Sequence, residues 1–234
     1  MCYLLIWDID GTLIHSRGVG RRAMDLAFAE LYNIPEGFSQ IDMAGRLDAV
    51  ILSEAYRYHG FENQDPGVFF SRYCEILEAE VQKSEASFAL SGIMELLETL
   101  NRQEGFYNVL GTGNIERGAR IKLEKDGLNR YFSTGGFGNT PTERWQVIQK
   151  AVENSCSLFN RDFANDRIFI IGDTPRDMEC AKRLGTKAIG TATGPYTVSE
   201  LMDSGADYAF GDLTDTEAFL RIFSKKGTAL PPHR

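Results

Sequence analysis

Two aspartates two residues apart, Asp8 and Asp10, close an apolar run in "IWDIDGTLIH" and are followed at once by Gly11 and Thr12. Further along, "LGTGN" ends another apolar run on Gly111, Thr112, Gly113 and Asn114, and "IFIIGDTPRD" ends a third on Asp173 and Asp177. In an open parallel sheet, ligands sit at the carboxyl ends of the strands, so all three groups can face one crevice. Carboxylates brought together repel, and one is pushed towards protonation unless a cation offsets them. Asp8, Asp10, Asp173 and Asp177 therefore imply a metal. Oxygen ligands without histidine or thiolate fit Mg²⁺, which commonly also binds a substrate phosphate. The combination points to phosphoryl chemistry. Each motif also has a plainer structural reading. Asp10-Gly11 makes a turn, Asn114 an N-cap, and Thr174-Pro175-Arg176-Asp177 a capping box with proline at the first helical position.

The elements that must position these residues alternate. Strands are expected at Tyr3–Trp7, Tyr107–Leu110, Tyr131–Thr134, Arg167–Ile171, Lys187–Ile189 and Asp207–Phe210. Helical spacing covers Ile93–Gln103, Ile115–Asp126, Thr142–Ser155, Pro175–Leu184 and Val198–Asp203. This is the pattern of βα units on a parallel sheet. From Gly18 to about Phe88 the alternation stops, and three helices are expected near Val19–Tyr32, Leu47–His59 and Val68–Gln82. The expected architecture is an α/β, Rossmann-like parallel sheet core, residues 1–16 and 89–224, with an inserted all-helical cap at 17–88 and a C-terminal tail at 225–234.

The 234 residues, 43% of them hydrophobic, suffice for one core with a small accessory domain. A net charge of −8 leaves no broad basic surface for nucleic acid. Met1–Trp7 is too short for a signal h-region or a membrane span, which with four scattered cysteines leads to the expectation of a cytoplasmic protein with reduced thiols and no membrane partner. "GVGRRA", Gly18–Ala23, fits G-x-G-x-x-A, but it does not directly join a strand to a helix, so dinucleotide binding is not expected. His15 and His59 have no partner at metal-ligand spacing.

"DIDGTL", "LGTGN" and "IGDTPRD", with an insertion between the first and second, together resemble the haloacid dehalogenase-like superfamily, in its phosphoglycolate-phosphatase-like branch. The resemblance implies that Asp8 is a nucleophile forming an aspartyl-phosphate and that Asp10 protonates the leaving oxygen and later activates water. It implies that Asp8, the backbone carbonyl of Asp10, and Asp173 hold Mg²⁺, supported by Asp177. Thr112, Gly113, Asn114 and the helix start that follows would hold phosphoryl oxygens. The family's third motif is usually a lysine just inside a helix. Here the best-placed cation is Arg144, with Lys150 two turns on as its rival and a plain surface arginine as the alternative. In "MAGRLDAVI", Arg46 resembles a cap-loop residue that reaches the substrate; the alternative is a salt bridge to Asp42 or Asp48. Members with an acid two residues after the nucleophile are typically phosphatases or phosphomutases. The expected partner is a small phosphorylated metabolite and the expected activity a Mg²⁺-dependent phosphatase. A sugar phosphomutase or a non-catalytic phospho-ligand sensor are the alternatives.

Overall fold

The computed structural model describes residues 2–61, 63–140 and 142–224. The tail expected at 225–234 lies outside them. The chain begins with β1 (Tyr3–Trp7), buried at every position, and then leaves the sheet for three helices. These are α1 (Val19–Tyr32), α2 (Asp48–His59) and α3 (Pro66–Lys83). It returns through α4 (Ile93–Arg102), β2 (Phe106–Thr112), α5 (Glu116–Glu124), β3 (Gly135–Phe137) and α6 (Arg144–Phe159). The remainder is β4 (Ile168–Gly172), α7 (Pro175–Leu184), β5 (Lys187–Thr191), α8 (Val198–Asp203), β6 (Tyr208–Phe210) and α9 (Thr216–Arg221).

The sheet has six strands in the order β3-β2-β1-β4-β5-β6, and all neighbours run parallel. Parallel strands covered on both faces read as continuous apolar runs, as β1 and β4 do. The order reverses at β1. β2 lies on one side and β4 on the other, so the carboxyl ends of these three strands meet at the switch point where α/β sheets bind ligands. The register brings Trp7 level with Leu110 on β2 and Ile171 on β4. The polar residues that follow each strand therefore emerge side by side.

The α/β core with an inserted helical cap is as expected. Two elements differ. Leu128–Tyr131 is a 3-10 turn, and the third strand is Gly135–Phe137 instead of Tyr131–Thr134. α9 was not anticipated; its Phe219 stacks on Trp7 of β1, with ring centroids 5.8 Å apart. Cap and core are joined by a pair of antiparallel linkers: His15 N donates to Phe88 O at 2.8 Å and Leu90 N to Leu13 O at 3.0 Å. Inside the cap, α1 and α3 pack through an aromatic cluster around Phe28, Phe38 and Phe69, which is continuous with the apolar core on one face of the sheet. "GVGRRA" leads into α1 of this cap and does not directly join a strand to a helix. His59 Nε2 lies 2.8 Å from Gly37 O and packs on Phe28. Among the described residues, no helix is long and apolar enough to cross a membrane.

Candidate active site

Asp8 is the first residue beyond β1, and its N–H donates to Ile171 O at 2.9 Å, tying it to β4. The chain turns immediately afterwards. Gly11 has φ of 84°, a left-handed conformation that costs glycine little, and its N–H donates to Ile14 O at 2.8 Å. Asp173 follows β4 directly, and Asp177 sits on the first turn of α7. Asp8, Asp173 and Asp177 are all buried, and each offers a carboxylate oxygen within 4.8 Å of the others.

Three buried acids stand together with one guanidinium, Arg144, beside them, so their charge is only partly offset. Burial, opposed by Arg144 and reinforced by Asp177 and Asp10, raises Asp8 to about 6. Burial, with Asp8 and Asp177 alongside, raises Asp173 to about 8. Asp173 Oδ1 is buried with no hydrogen-bond partner among the described residues. An orphaned carboxylate oxygen beside two more carboxylates is a donor set that fits a hard divalent cation.

Arg144 is the cation that faces this cluster. It is the first residue of α6, whose start is fixed by a capping box between Glu143 and Gln146. Its Nε and Nη2 donate to Asp177 Oδ1 at 3.0 and 2.6 Å, and Nη2 lies 3.0 Å from Asp8 Oδ1. The side chain is 9% exposed, so it is not a surface arginine. Lys150 is far along the same helix with its ammonium in solvent, paired with Glu153 at 3.2 Å. The capping-box reading of Thr174–Asp177 also holds: Asp177 Oδ2 accepts from Thr174 N at 3.2 Å and Oγ1 at 2.7 Å. One carboxylate thus caps α7 with one oxygen and grips Arg144 with the other.

Asp10 turns its side chain the other way. Its Oδ2 accepts from Lys122 Nζ at 2.6 Å and Asn114 Nδ2 at 2.9 Å, and its Oδ1 from Ser16 Oγ at 3.1 Å. Its side chain thus stands apart from the three-carboxylate cluster. Burial alone would raise Asp10, but Lys122, Asn114 and Ser16 outweigh it and hold the carboxyl below its usual range. It is a carboxylate aimed across the cavity and held in its ionised form by these donors, so a proton placed on it is readily given up. Asn114 is not a helix cap. It bonds Asp10, Lys122 and Thr112 Oγ1, the last at 2.9 Å.

The helix start after Asn114 differs from expectation. The N–H of Ile115 donates to Asp48 Oδ2 at 2.9 Å and that of Glu116 to Asn139 Oδ1 at 2.9 Å, so both are already taken. Asp48 belongs to the cap, at the first turn of α2, and its own N–H donates to Gly113 O at 2.7 Å. The cap is pinned to the second motif by these two bonds. Burial raises the Asp48 carboxyl to about 6, against the pull of Lys122 and the Ile115 N–H.

Arg46 lines the same cavity of about 550 Å³, which also takes in Asp8, Asp10, Thr112, Asp173 and Tyr73. Its guanidinium is engaged with neither the carboxylate of Asp42 nor Asp48. It is ion-paired with Glu54, and Nη1 donates to the backbone oxygen of Asp42 at 2.9 Å.

The reading of the sequence missed Lys122 and Asp48. Lys122 did leave a signal, since it shares the buried stripe of α5 with Gly118, Ala119 and Leu123. A lysine on an apolar stripe needs a buried partner.

The sequence profile of haloacid dehalogenase-like hydrolases matches residues 5–191. No curated protein matches the chain. Among solved structures, CbbY from Rhodobacter sphaeroides in complex with phosphate is 17% identical, with TM-score 0.70 over 92% of this chain and 96% of that one. A predicted phosphatase from Clostridium acetobutylicum is 21% identical, with TM-score 0.69 over 94% and 100%. A predicted phosphoglycolate phosphatase from Haemophilus somnus is 20% identical, with TM-score 0.68 over 95% and 98%. At these identities the structures share the fold. The profile spans most of the chain and all three motifs, and the chain belongs to the haloacid dehalogenase-like hydrolase family.

Proposed function

We propose that this protein is a Mg²⁺-dependent hydrolase of a small phosphomonoester, working through an aspartyl-phosphate on Asp8. The observation that carries the reading is the division of the two acids two residues apart. Asp8 sits buried against Arg144 and the other carboxylates, while Asp10 stands across the cavity in a polar network. This division supports a reading in which one acid bonds to phosphorus and the other handles protons.

In this mechanism an oxygen of Asp8 attacks the phosphorus while the bond to the leaving oxygen breaks, and Asp10 protonates that oxygen. Water then attacks the aspartyl-phosphate, giving its proton to Asp10, and Asp8 is regenerated with release of inorganic phosphate. Arg144 offsets the charge of Asp8 and the phosphoryl group, with Thr112, Gly113 and Asn114 holding phosphoryl oxygens. Asp8, Asp173 and the Asp10 carbonyl are the proposed Mg²⁺ ligands, with Asp177 in support, and the ion would supply positive charge where two anions must approach. The cap, residues 17–88, closes the site against water, and Arg46 meets the leaving group after exchanging Glu54 for it.

The names of the similar structures, two phosphatases and a phosphate complex, support the reaction class. The test is release of inorganic phosphate from a panel of small phosphorylated metabolites, with and without Mg²⁺. Mg²⁺-dependent release is expected. Isomerisation of a hexose phosphate without release would replace hydrolysis with a mutase reaction, and binding without turnover across the panel would leave a phospho-ligand sensor.

A further inference from the structure

Lys122 is a buried ammonium, its side chain 6% exposed, standing on a core helix beneath the cap. Its Nζ donates to Asp10 Oδ2 and to Asn114 Oδ1, both at 2.6 Å. Asn114 Nδ2 donates back to Asp10 Oδ2 and to Thr112 Oγ1, each at 2.9 Å. The three side chains close a ring in which Asn114 can be oriented only one way, with its oxygen on Lys122 and its amide on Asp10. Without Lys122 the Asn114 oxygen has no donor, the amide is free to rotate, and Asp10 loses its strongest hydrogen bond.

The cap closes over the other side of this lysine. A Cβ on Gly20 of α1 would come within 3.2 Å of both Cε and Nζ of Lys122, and the Tyr73 hydroxyl of α3 reaches the same place, 3.8 Å from that Cβ position. Gly20 leaves room for the ammonium and nothing more. We propose that Lys122 is a positioning residue that fixes the Asp10 carboxylate through the Lys122–Asn114–Asp10 ring, and that the cap holds Lys122 in that ring through the contact at Gly20. The proposal rests on the reading of Asp10 as the proton-transfer group. It makes proton transfer in the core depend on the seating of the cap, which is where substrate enters.

The experiment compares Lys122→Met, Asp10→Asn, the double variant and Gly20→Val, using the best substrate from the phosphate-release panel, with thermal midpoints recorded to confirm folding. Lys122→Met is expected to lower kcat by about 10²-fold with KM changed less than about threefold, as for a misplaced catalytic group. In the Asp10→Asn background the same substitution is expected to cost less than about threefold, because the group it positions is gone. Gly20→Val is expected to lower kcat in the wild-type chain and to add little to Lys122→Met. Full kcat in Lys122→Met overturns the proposal, as does an equal fold-loss with and without the Asp10 carboxylate. Full kcat in Gly20→Val overturns the coupling to the cap. If Lys122→Met fails to fold, Lys122→Gln takes its place in the same comparison with and without Asp10→Asn, with the same outcomes supporting or overturning the proposal. If the wild-type protein releases no phosphate from any member of the panel, the hydrolase reading fails by itself. The ring is then tested by a crystal structure of Lys122→Met: Asp10 turned away from Asn114 supports the proposal, and Asp10 unmoved overturns it.

Discussion

Arg144 and Asp177 form a two-donor contact to a single oxygen: Nε and Nη2 reach Asp177 Oδ1 at 3.0 and 2.6 Å, and the same Nη2 lies 3.0 Å from Asp8. Asp177, locked by its bonds to Thr174, is the anchor, so the guanidinium is aimed before any substrate arrives. Arg144→Ala removes the charge that offsets Asp8 and leaves buried carboxylates unpaired. Breaking a buried pair from one side costs about 3–5 kcal/mol, and losing one electrostatic donor costs about 10²–10³ in kcat. Both losses are expected, read by thermal melting and steady-state kinetics. Arg144→Lys, which keeps charge but not the two-donor geometry, should fall between, and Lys150→Ala should be silent. A damaging Lys150→Ala would move the role to that residue.

Asp8→Asn separates chemistry from folding. The amide cannot form the acyl phosphate, so turnover should drop by about 10⁴-fold or more. Removing one of three crowded carboxylates also relieves repulsion, and Arg144 keeps its contacts to Asp177. The metal-free variant should therefore melt higher than the metal-free wild type. Unchanged turnover would remove Asp8 from the mechanism.

The carboxylate cluster also sets a sign for the effect of pH on stability. Asp173 is raised to about 8 and Asp8 to about 6, so the folded chain holds protons that the unfolded chain has already lost. Between the unfolded value near 4 and the folded values, the contribution of these two groups to stability falls as pH rises. A bound divalent cation offsets this charge and competes with the protons. The increase in thermal midpoint on adding Mg²⁺ is thus expected to be larger at about pH 8.5 than at about pH 5.5. An equal increase at both would mean that the ion binds elsewhere.

These residues were unequally visible in the sequence, for physical reasons. Asp8, Asp10, Asp173 and Asp177 follow a strand within a few residues and Thr112 ends one, so the apolar run and the polar ending stand together in the chain. Arg144 was legible as a helix start, although only the fold brings it to Asp8 across 136 residues, from 8 to 144. Lys122 left only a weak mark, its place on the buried stripe of α5 with Gly118, Ala119 and Leu123, because nothing near it in the chain names Asp10, 112 residues away, as its partner. Asp48 hid because its partner is a backbone N–H in the other domain. The third strand was misplaced because Gly135-Gly136-Phe137 lacks the β-branched residues that mark strands, whereas the preceding Tyr131-Phe132 imitates one.

The metal site can be tested through a residue that is not one of its ligands. Gly194 follows β5, and a Cβ there would stand 1.7 Å from Asp173 Oδ2. Its backbone φ is not in the left-handed region, so alanine is acceptable to the chain itself, and the nearest collision is with the carboxylate. Asp173 must swing aside, and a displaced ligand support typically costs about 10–100-fold in metal affinity. Gly194→Ala should therefore raise the Mg²⁺ concentration needed for half-maximal activity by that factor, with the thermal gain from Mg²⁺ reduced in parallel. Gly211→Ala is the control, because a Cβ at Gly211 meets nothing within 4 Å. If Gly194→Ala binds Mg²⁺ as tightly as the wild type, Asp173 does not hold the ion, and the metal must rest on Asp8, the Asp10 carbonyl and Asp177.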